Sequence, residues 1–221
     1  MKIDLHVHTS EGSRCGKLTG KQIAQLYSEA GYDAVCITNH FSLYTAGWKA
    51  KQGKFDFVSA FDEAFEIAKE EGEKLGLRVF KGYELRCYEN NNDFLAYHMP
   101  TYLLDNYKQL LSLPMKDFLA VLRQYGVKIY QAHPFRNDIK MVDPTLIDGI
   151  EVFNGHIGHD SRNPMAKAWA DLHPDLRQIS GSDCHEECQA CGGGIITDWD
   201  VKNELELIDC IQSREFSIVT R

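Results

Sequence analysis

The sequence predicts an α/β fold, either a parallel α/β barrel or a doubly wound sheet. Six or seven short apolar runs alternate with amphipathic segments of helical period, a pattern typical of strands joined by crossover helices. Metal-ligand types of side chain follow several of these runs. Functional groups in barrels of this kind gather at the carboxyl ends of the strands, so the placement of these side chains supports the same prediction.

The predicted strands are apolar runs that end in a histidine or an acidic residue. In the first run, residues 3–8, His6 and His8 are one residue apart, so both imidazoles leave the same face of a strand. The other runs lie at residues 34–39, 77–83, 93–97, 127–132, 149–154 and 176–182. The residues found at or just beyond their ends are His40, Glu84, His98, His133, Asp183 and His185.

Five amphipathic helices are expected beside these strands, because apolar residues recur there at helical spacing. They cover residues 20–30, 57–75, 118–125, 165–172 and 205–211. The first should end at Gly31, and the third should be bounded by Pro114 and Gly126. We expect the aromatic stripe of the second helix to be core. The glycines at 192–194 are expected to form a flexible turn.

Length and charge limit the possible functions. The 221 residues are expected to form one domain, residues 1–221. The net charge of −8 disfavours long nucleic acid as a partner, but a phosphorylated small molecule is compatible because bound cations would supply positive charge. The sequence contains no apolar stretch of 18 residues, so no membrane span is predicted. The first strand begins too early to leave room for a signal peptide. Seven cysteines, an odd number, indicate reduced thiols and a cytoplasmic location. The oligomeric state is left open.

The strand-end residues predict a metal centre. Imidazole and carboxylate groups are ligands for Zn, Mn and Fe. One histidine at a strand end is more often a core residue, but six histidines together with Glu84 and Asp183 at successive strand ends are not explained in that way.

Six segments resemble, in order, the motifs of the polymerase and histidinol phosphatase (PHP) superfamily. They are residues 4–9, 37–40, 82–84, 132–135, 150–155 and 181–185. The resemblance spans essentially the whole chain. It implies a distorted (β/α)7 barrel with two to three divalent metal ions (Zn, Mn or Fe) at the carboxyl ends of the strands. It also implies hydrolysis of phosphate esters.

The resemblance assigns the ligands to three metal sites. The first would use His6, His8, Glu84 and Asp183, and the second Glu84 as a bridge with His98 and His133. The third would use His40, His185 and one residue of the first loop. A metal-bound hydroxide, held through Glu84 and Asp183, would attack phosphorus.

The first loop departs from the family pattern. Aligning Gly16 and Leu18 places Cys15 at the ligand position, and a thiolate is a sound ligand for Zn, although Glu11 competes for this role. Asn39 stands before His40 where the family commonly has aspartate, so one negative charge is missing there.

A second cysteine pattern lies near the end of the chain. Cys184, Cys188 and Cys191 have the C-x3-C-x2-C spacing of iron–sulfur radical enzymes. A cluster, an auxiliary zinc ion, a disulfide and free loop thiols all remain open. Free thiols are favoured, because Cys184 lies between two proposed ligands and should point away from them.

Two arginines are candidates for binding the substrate phosphate. Arg86 lies two residues beyond Glu84, and Arg136 follows the 132–135 motif. Either could instead form a structural ion pair. The sequence therefore predicts a metal-dependent phosphatase acting on a small phosphate monoester, with histidinol phosphate as the example that the resemblance names. The alternatives are a phosphodiesterase or nuclease acting on nucleotides or short single strands, a protein-tyrosine phosphatase, and a non-catalytic metal-stabilised PHP module.

Overall fold

The computed structural model describes residues 1–221, which form eleven strands and eight α-helices. The strands are β1 (Lys2–Val7), β2 (Ala34–Ile37), β3 (His40–Phe41), β4 (Arg78–Lys81), β5 (Tyr83–Leu85), β6 (Phe94–Ala96), β7 (Tyr130–Gln131), β8 (Gly149–Asn154), β9 (Arg177–Gly181), β10 (Gly193–Thr197) and β11 (Phe216–Thr220). The helices are α1 (Gly20–Glu29), α2 (Leu43–Lys51), α3 (Phe57–Leu75), α4 (Thr101–Asp105), α5 (Tyr107–Leu111), α6 (Met115–Gln124), α7 (Asn163–Asp171) and α8 (Glu204–Ser213). Short 3-10 turns occur at Pro144–Leu146 and Glu187–Gln189.

The strands form two mixed sheets. One has the order β11-β10-β1-β2-β4 and the other the order β3-β5-β6-β7-β8-β9. Only Thr38 and Asn39 separate β2 from β3, and only Gly82 separates β4 from β5. Each of these pairs is therefore one extended run that passes from the first sheet into the second.

The prediction of an α/β fold is confirmed, but the ladders do not form the expected closed (β/α)7 barrel. The segment after β9, the last strand of the second sheet, meets β1 through a single parallel bridge between Val7 and Cys184 rather than through a continuous ladder. β6 runs antiparallel to both of its neighbours. β10 pairs antiparallel with β1, and β11, which follows α8, pairs antiparallel with β10. The direction of β6 has consequences for the metal centre.

Helices form at all five of the expected places, and local sequence explains their ends. Thr19 and Gln22 make a reciprocal capping box before α1. Asp56 caps the start of α3. Gly76 follows the last residue of this helix and has a left-handed backbone conformation (φ 73°), which glycine adopts more readily than other residues. The aromatic stripe of α3 is core, and its Phe61 ring stacks on Tyr83 at 5.1 Å between centroids. Three short helices, α2, α4 and α5, were not predicted.

The expectation of a flexible turn at the glycine run is wrong. Gly193 and Gly194 lie in β10, which pairs with β1 and β11. A Cβ atom at Gly193 would come within 2.4 Å of the Gly181 backbone, and one at Gly194 within 2.3 Å of the Ile3 carbonyl oxygen. The glycines are therefore required by close packing of β10 against β9 and β1. No helix of this chain is both long and apolar enough to cross a membrane.

Candidate metal centre

The carboxyl ends of the parallel strands open into one polar cavity of about 400 Å³. Its walls include His40, Glu84, His133, Asp183 and His185, and only one lining residue is apolar. His6 and His8, at the end of β1, lie fully buried beneath these groups. The structure thus brings together the predicted ligands from β1, β3, β5, β7 and β9.

Four of these side chains form the first group of donor atoms. The Nε2 atoms of His6 and His8 are 3.1 Å apart, and they lie 3.4 and 3.3 Å from Asp183 Oδ1. Glu84 Oε1 is 3.3 Å from His6 Nε2, and Glu84 Oε2 is 3.5 Å from His8 Nε2. Ligands about 2.0–2.1 Å from a tetrahedral ion are separated by about 3.3 Å, so the spacing fits one cation.

Hydrogen bonds on the outer side fix the tautomers of both imidazoles. His6 Nδ1 lies 3.1 Å from Glu151 Oε1, a carboxylate oxygen that can only accept. His8 Nδ1 lies 3.1 Å from Ser13 Oγ, whose own proton goes to Asn39 Oδ1 at 3.0 Å. Both Nδ1 atoms therefore donate, and both Nε2 lone pairs point inward beside the carboxylates of Glu84 and Asp183. Lone pairs and negative charges that face one another favour a cation between them.

The negative charge of this group also acts on the imidazoles directly. Burial lowers the pKa of His6, but Asp183, Glu151 and Glu84 together raise it well above its usual value. Burial and the neighbouring His185 and His40 lower the pKa of His8 well below its usual value. The carboxylates around His6 thus attract positive charge, whereas the crowding of His8 by other imidazoles keeps its own ring neutral.

Asn39 is part of the framework that holds the centre. Its Oδ1 accepts hydrogen bonds from Thr9 N at 2.8 Å and from Ser13 Oγ, and its Nδ2 donates to Thr9 Oγ1 at 3.1 Å. An aspartate could not donate that last bond. The amide therefore fits this loop, and the missing charge before His40 is explained by the hydrogen-bonding pattern.

Glu84 is the central acidic residue of the cavity. Its Oε2 lies 2.5 Å from His40 Nδ1 and its Oε1 lies 3.1 Å from His133 Nε2, in addition to the contacts with His6 and His8. Burial raises the pKa of this carboxyl group, but His40 and His6 lower it well below its usual value. The side chain is 1% exposed and contacts four imidazoles, a position suited to a bridge between two cations.

His98 does not lie with the other predicted ligands. It is exposed and lines a separate groove with Lys81 and Tyr83. The physical reason is the direction of β6: because this strand is antiparallel, its carboxyl end points away from the cavity and its beginning points toward it. The residue at the beginning is Asp93, which is 2% exposed and whose Oδ2 lies 3.8 Å from His133 Nε2.

Asp93 therefore occupies the place expected for His98. Together with His40 and Glu84 it forms a compact group of potential metal ligands. A local signal was present, since Asp93 stands directly before an apolar run, but recognising it requires knowing that the strand is reversed.

The predicted third group also converges. His8, His40 and His185 form a compact group of donor atoms, and Cys15 lines the same cavity as His40 and His185. Burial raises the pKa of Cys15, but hydrogen bonds with these two histidines lower it to about 6. The competitor Glu11 is engaged elsewhere, because its carboxylate accepts from Gly20 N at 3.0 Å at the start of α1.

The two arginines line the cavity, and each is paired with an acidic residue of the centre. Arg136 Nη2 donates to Asp183 Oδ2 at 2.8 Å and to Asn154 Oδ1 at 2.9 Å, while its buried Nε has no partner. Arg86 donates two hydrogen bonds to Asp93, one from Nε to Oδ1 at 2.6 Å and one from Nη2 to Oδ2. Both arginines therefore form ion pairs, which was the expected alternative to phosphate binding. Both side chains still line the cavity.

Sequence reasoning missed three residues that contact this centre. Glu151 orients His6 and also accepts from His133 N at 2.9 Å. His156 and His159 lie at the rim, with their ring centroids 4.7 Å apart. Glu151 lies in a recognised motif, but the rim histidines follow β8 in a loop whose course the sequence did not indicate.

Two ligand candidates have unusual backbone conformations. His133 has φ 30° and Asp183 has φ 52°, a region that non-glycine residues rarely adopt. Such residues persist where the surroundings fix them, and they concentrate at functional sites.

The C-terminal cysteines are dispersed. Cys184 is fully buried among Val7, Ile23 and Tyr27, whereas Cys188 is exposed. Burial raises the pKa of Cys191 to about 12. No compact group of potential metal ligands contains any of the three, and Cys184 points away from the cavity as expected.

Comparisons with known proteins agree with this geometry. The PHP domain family matches residues 4–176, while no curated protein matches the sequence. Among solved structures, the fold resembles that of a two-domain protein from Bacteroides vulgatus described as containing a PHP-like metal-dependent phosphoesterase (22% identity, TM-score 0.70). That comparison covers 100% of this chain but only 65% of the other.

Two further structures share the fold. PsfC from Pseudomonas syringae is 18% identical with a TM-score of 0.67, covering 100% of this chain and 91% of PsfC. The lesion-specific endonuclease PfuEndoQ from Pyrococcus furiosus is 13% identical with a TM-score of 0.63, covering 98% of this chain and 57% of the endonuclease. The family match extends over more than three quarters of the chain and includes His6, His8, Glu84 and His133, which places this protein in the PHP domain family.

Proposed function

We propose that this protein hydrolyses a small phosphate monoester, of the histidinol phosphate type, with the help of two to three divalent cations. The position of Glu84 carries the proposal: one buried carboxylate contacts four imidazoles at the base of a cavity of about 400 Å³. The cavity suits a small, highly polar substrate, because only one of its lining residues is apolar.

The donor atoms fit divalent cations at three adjacent places. His6, His8, Glu84 and Asp183 would hold the first ion, and Glu84, His133 and Asp93 the second. Cys15, His40 and His185 would hold the third. When bound, such ions supply positive charge for the phosphoryl oxygens and lower the pKa of a coordinated water. Nitrogen and oxygen donors accept Zn, Mn or Fe, and the thiol of Cys15 favours Zn.

The chain's own residues orient the substrate. Arg136 is held by Asn154 and Ser161 as well as by Asp183, so its guanidinium is fixed at the cavity wall. All three bonds use Nη2, so the N–H groups of Nη1 are left to donate to the equatorial oxygens of a phosphoryl group. Buried positions beneath the cavity, occupied by His6 and His8, exclude bulk water from the base of the site.

The proposal is tested with p-nitrophenyl phosphate and bis-p-nitrophenyl phosphate, each with added Zn²⁺ or Mn²⁺ and with a chelator. We expect metal-dependent phosphate release from the monoester. Glu84→Gln should lower the rate by several orders of magnitude and reduce metal content, whereas Glu66→Gln on the exposed face of α3 should change neither.

Other outcomes would direct the assignment elsewhere. Faster cleavage of the diester would favour the phosphodiesterase alternative, a function class represented among the structural neighbours by PfuEndoQ. Selective hydrolysis of phosphotyrosine peptides would favour a protein phosphatase. No cleavage of any ester by fully metal-loaded protein would leave a metal-stabilised binding module.

A further inference from the structure

A second cavity of about 350 Å³ adjoins the metal centre. The two cavities share three lining residues, Cys15, His40 and Arg86, so the second opens from the wall of the first. We call this second cavity the side chamber. A substrate whose phosphoryl group lies at Glu84 can extend its leaving group past His40 into this space.

The remaining walls of the side chamber are polar and contain no acidic residue. They are formed by Arg14, Ser42, Tyr44 and Thr45. Ser42 Oγ and Thr45 Oγ1 form a hydrogen bond with each other at 3.0 Å. Both hydroxyls are uncharged, so neither neutralises a positive charge in the chamber. The charged groups lining the chamber are therefore Arg14 and Arg86, in addition to the groups of the metal centre.

Arg14 differs from every other basic side chain of the two cavities. Lys17 is paired with Glu186, Arg86 with Asp93, and Arg136 with Asp183. No carboxylate oxygen lies within 4.0 Å of Arg14, although the chain carries a net charge of −8. Acidic residues are abundant in this protein, so a guanidinium left without one beside the site is open to an acidic group of a ligand.

The position of Arg14 is set by Tyr44. Arg14 Nη1 donates a hydrogen bond to the Tyr44 hydroxyl, and the guanidinium carbon lies 5.9 Å from the centre of that ring. This contact occupies one nitrogen and leaves the other donors of the planar group for a ligand. Tyr44 is itself 65% exposed at the mouth of the chamber, so the pair stands where a leaving group would enter.

We propose that the substrate carries a second anionic group on its leaving group, and that Arg14 binds this group in the side chamber. The inference rests on the proposed phosphoesterase function and narrows the substrate class to esters with an anionic leaving group, in place of histidinol phosphate, whose leaving group is cationic. The anionic group can be a carboxylate or a second phosphate, since a guanidinium binds either with two parallel hydrogen bonds.

Binding and hydrolysis are measured separately, so that failure of the function and failure of the inference are distinguishable. For binding, calorimetry of the metal-loaded protein compares the phosphonate analogues of 3-phosphoglycerate and glycerol 3-phosphate, which cannot be cleaved and differ in one carboxylate. For a second phosphate, the phosphonate analogues of fructose 1,6-bisphosphate and fructose 6-phosphate form the matched pair. The corresponding esters are then tested for phosphate release.

We expect the doubly anionic member of at least one pair to bind at least fivefold more tightly. Arg14→Gln should reduce this preference to less than twofold, and Arg14→Lys should retain part of it because lysine keeps the charge but not the planar geometry. Arg123→Gln, an exposed arginine of α6 whose Nη1 donates to Thr145 O, is the matched control and should retain the full preference.

The pair that shows the preference identifies the anionic group. Equal binding of both members in both pairs overturns the inference even if the esters are hydrolysed. So does a preference that persists in Arg14→Gln. A preference that depends on Arg14 in a protein that releases no phosphate would keep the side chamber as an anion site and refute the phosphoesterase function instead.

Discussion

Replacing Glu151 by glutamine tests how the first group of ligands is held. One carboxylate oxygen of Glu151, Oε1, accepts from His6 Nδ1 at 3.1 Å. The other, Oε2, accepts from His133 N at 2.9 Å and from Asn154 Nδ2 at 2.8 Å. Both oxygens therefore face donors, but a glutamine amide has only one oxygen and must direct its NH₂ group toward one of these sides.

Either orientation damages the metal centre. If the NH₂ group faces His6, the imidazole must carry its proton on Nε2, and that atom is then lost as a ligand. If it faces His133, two buried donors lose their acceptor, at about 1–3 kcal/mol each. Changing the partner of a ligating histidine lowers metal affinity by about 10- to 100-fold. We therefore expect the first cation to bind Glu151→Gln about 1.4–2.8 kcal/mol more weakly.

Competition of the protein with a chelating dye for Zn²⁺ measures this change, with thermal unfolding as a check on folding. Glu66→Gln on α3 serves as the control, because its carboxylate is exposed. A folded Glu151→Gln variant that binds every equivalent of Zn²⁺ with unchanged affinity would refute the reasoning. Equal weakening of all the ions, with a parallel loss of stability, would also refute it, because the argument concerns one imidazole.

Five further substitutions test the remaining assignments. Asp93→Asn should weaken the second cation and slow hydrolysis, whereas His98→Ala should leave metal content unchanged; the opposite pattern in elemental analysis would contradict the placement of β6. Cys15→Ser should weaken only the third cation in a Zn²⁺ titration, and Glu11→Gln should change no metal affinity but lower stability by about 0.3–1 kcal/mol through the start of α1. Arg136→Lys should reduce kcat/KM by about tenfold, equivalent to about 1.4 kcal/mol, at constant metal content, and unchanged kinetics would make this arginine structural.

Residues within one strand could be placed from the sequence, because their geometry is local. His6 and His8 are two residues apart, and the period of a strand puts them on one face whatever the rest of the chain does. The other parallel strands could be added because parallel strands deliver their carboxyl ends to the same edge of a sheet. The same argument placed Glu84, His133 and Asp183 in one cavity, as found.

The reversal of β6 could not be predicted in this way. An apolar run of three residues, Phe94–Ala96, has the same pattern in both directions, and its orientation is decided by pairing with β5 and β7. The residue predicted as a ligand was therefore His98, after the run, and not Asp93, before it. The glycines of β10 were missed for a related reason, since the close approach of Ile3 and Gly181 is a long-range contact with no local signal.

The left-handed backbone conformation of His133 and Asp183 lowers the stability of the fold but places two candidate metal ligands in the cavity. Each such conformation costs a folded protein about 1–3 kcal/mol, and glycine would adopt it without that penalty. At Asp183, glycine would also remove the buried carboxylate that pairs with His6 and Arg136, and this loss offsets the gain in the backbone. Repeated selection of variants for heat resistance alone, in a metal-free medium, should therefore enrich glycine or asparagine at position 133 before position 183. Retention of histidine at position 133 under selection for turnover would mark its backbone conformation as a trait maintained by the reaction rather than by folding.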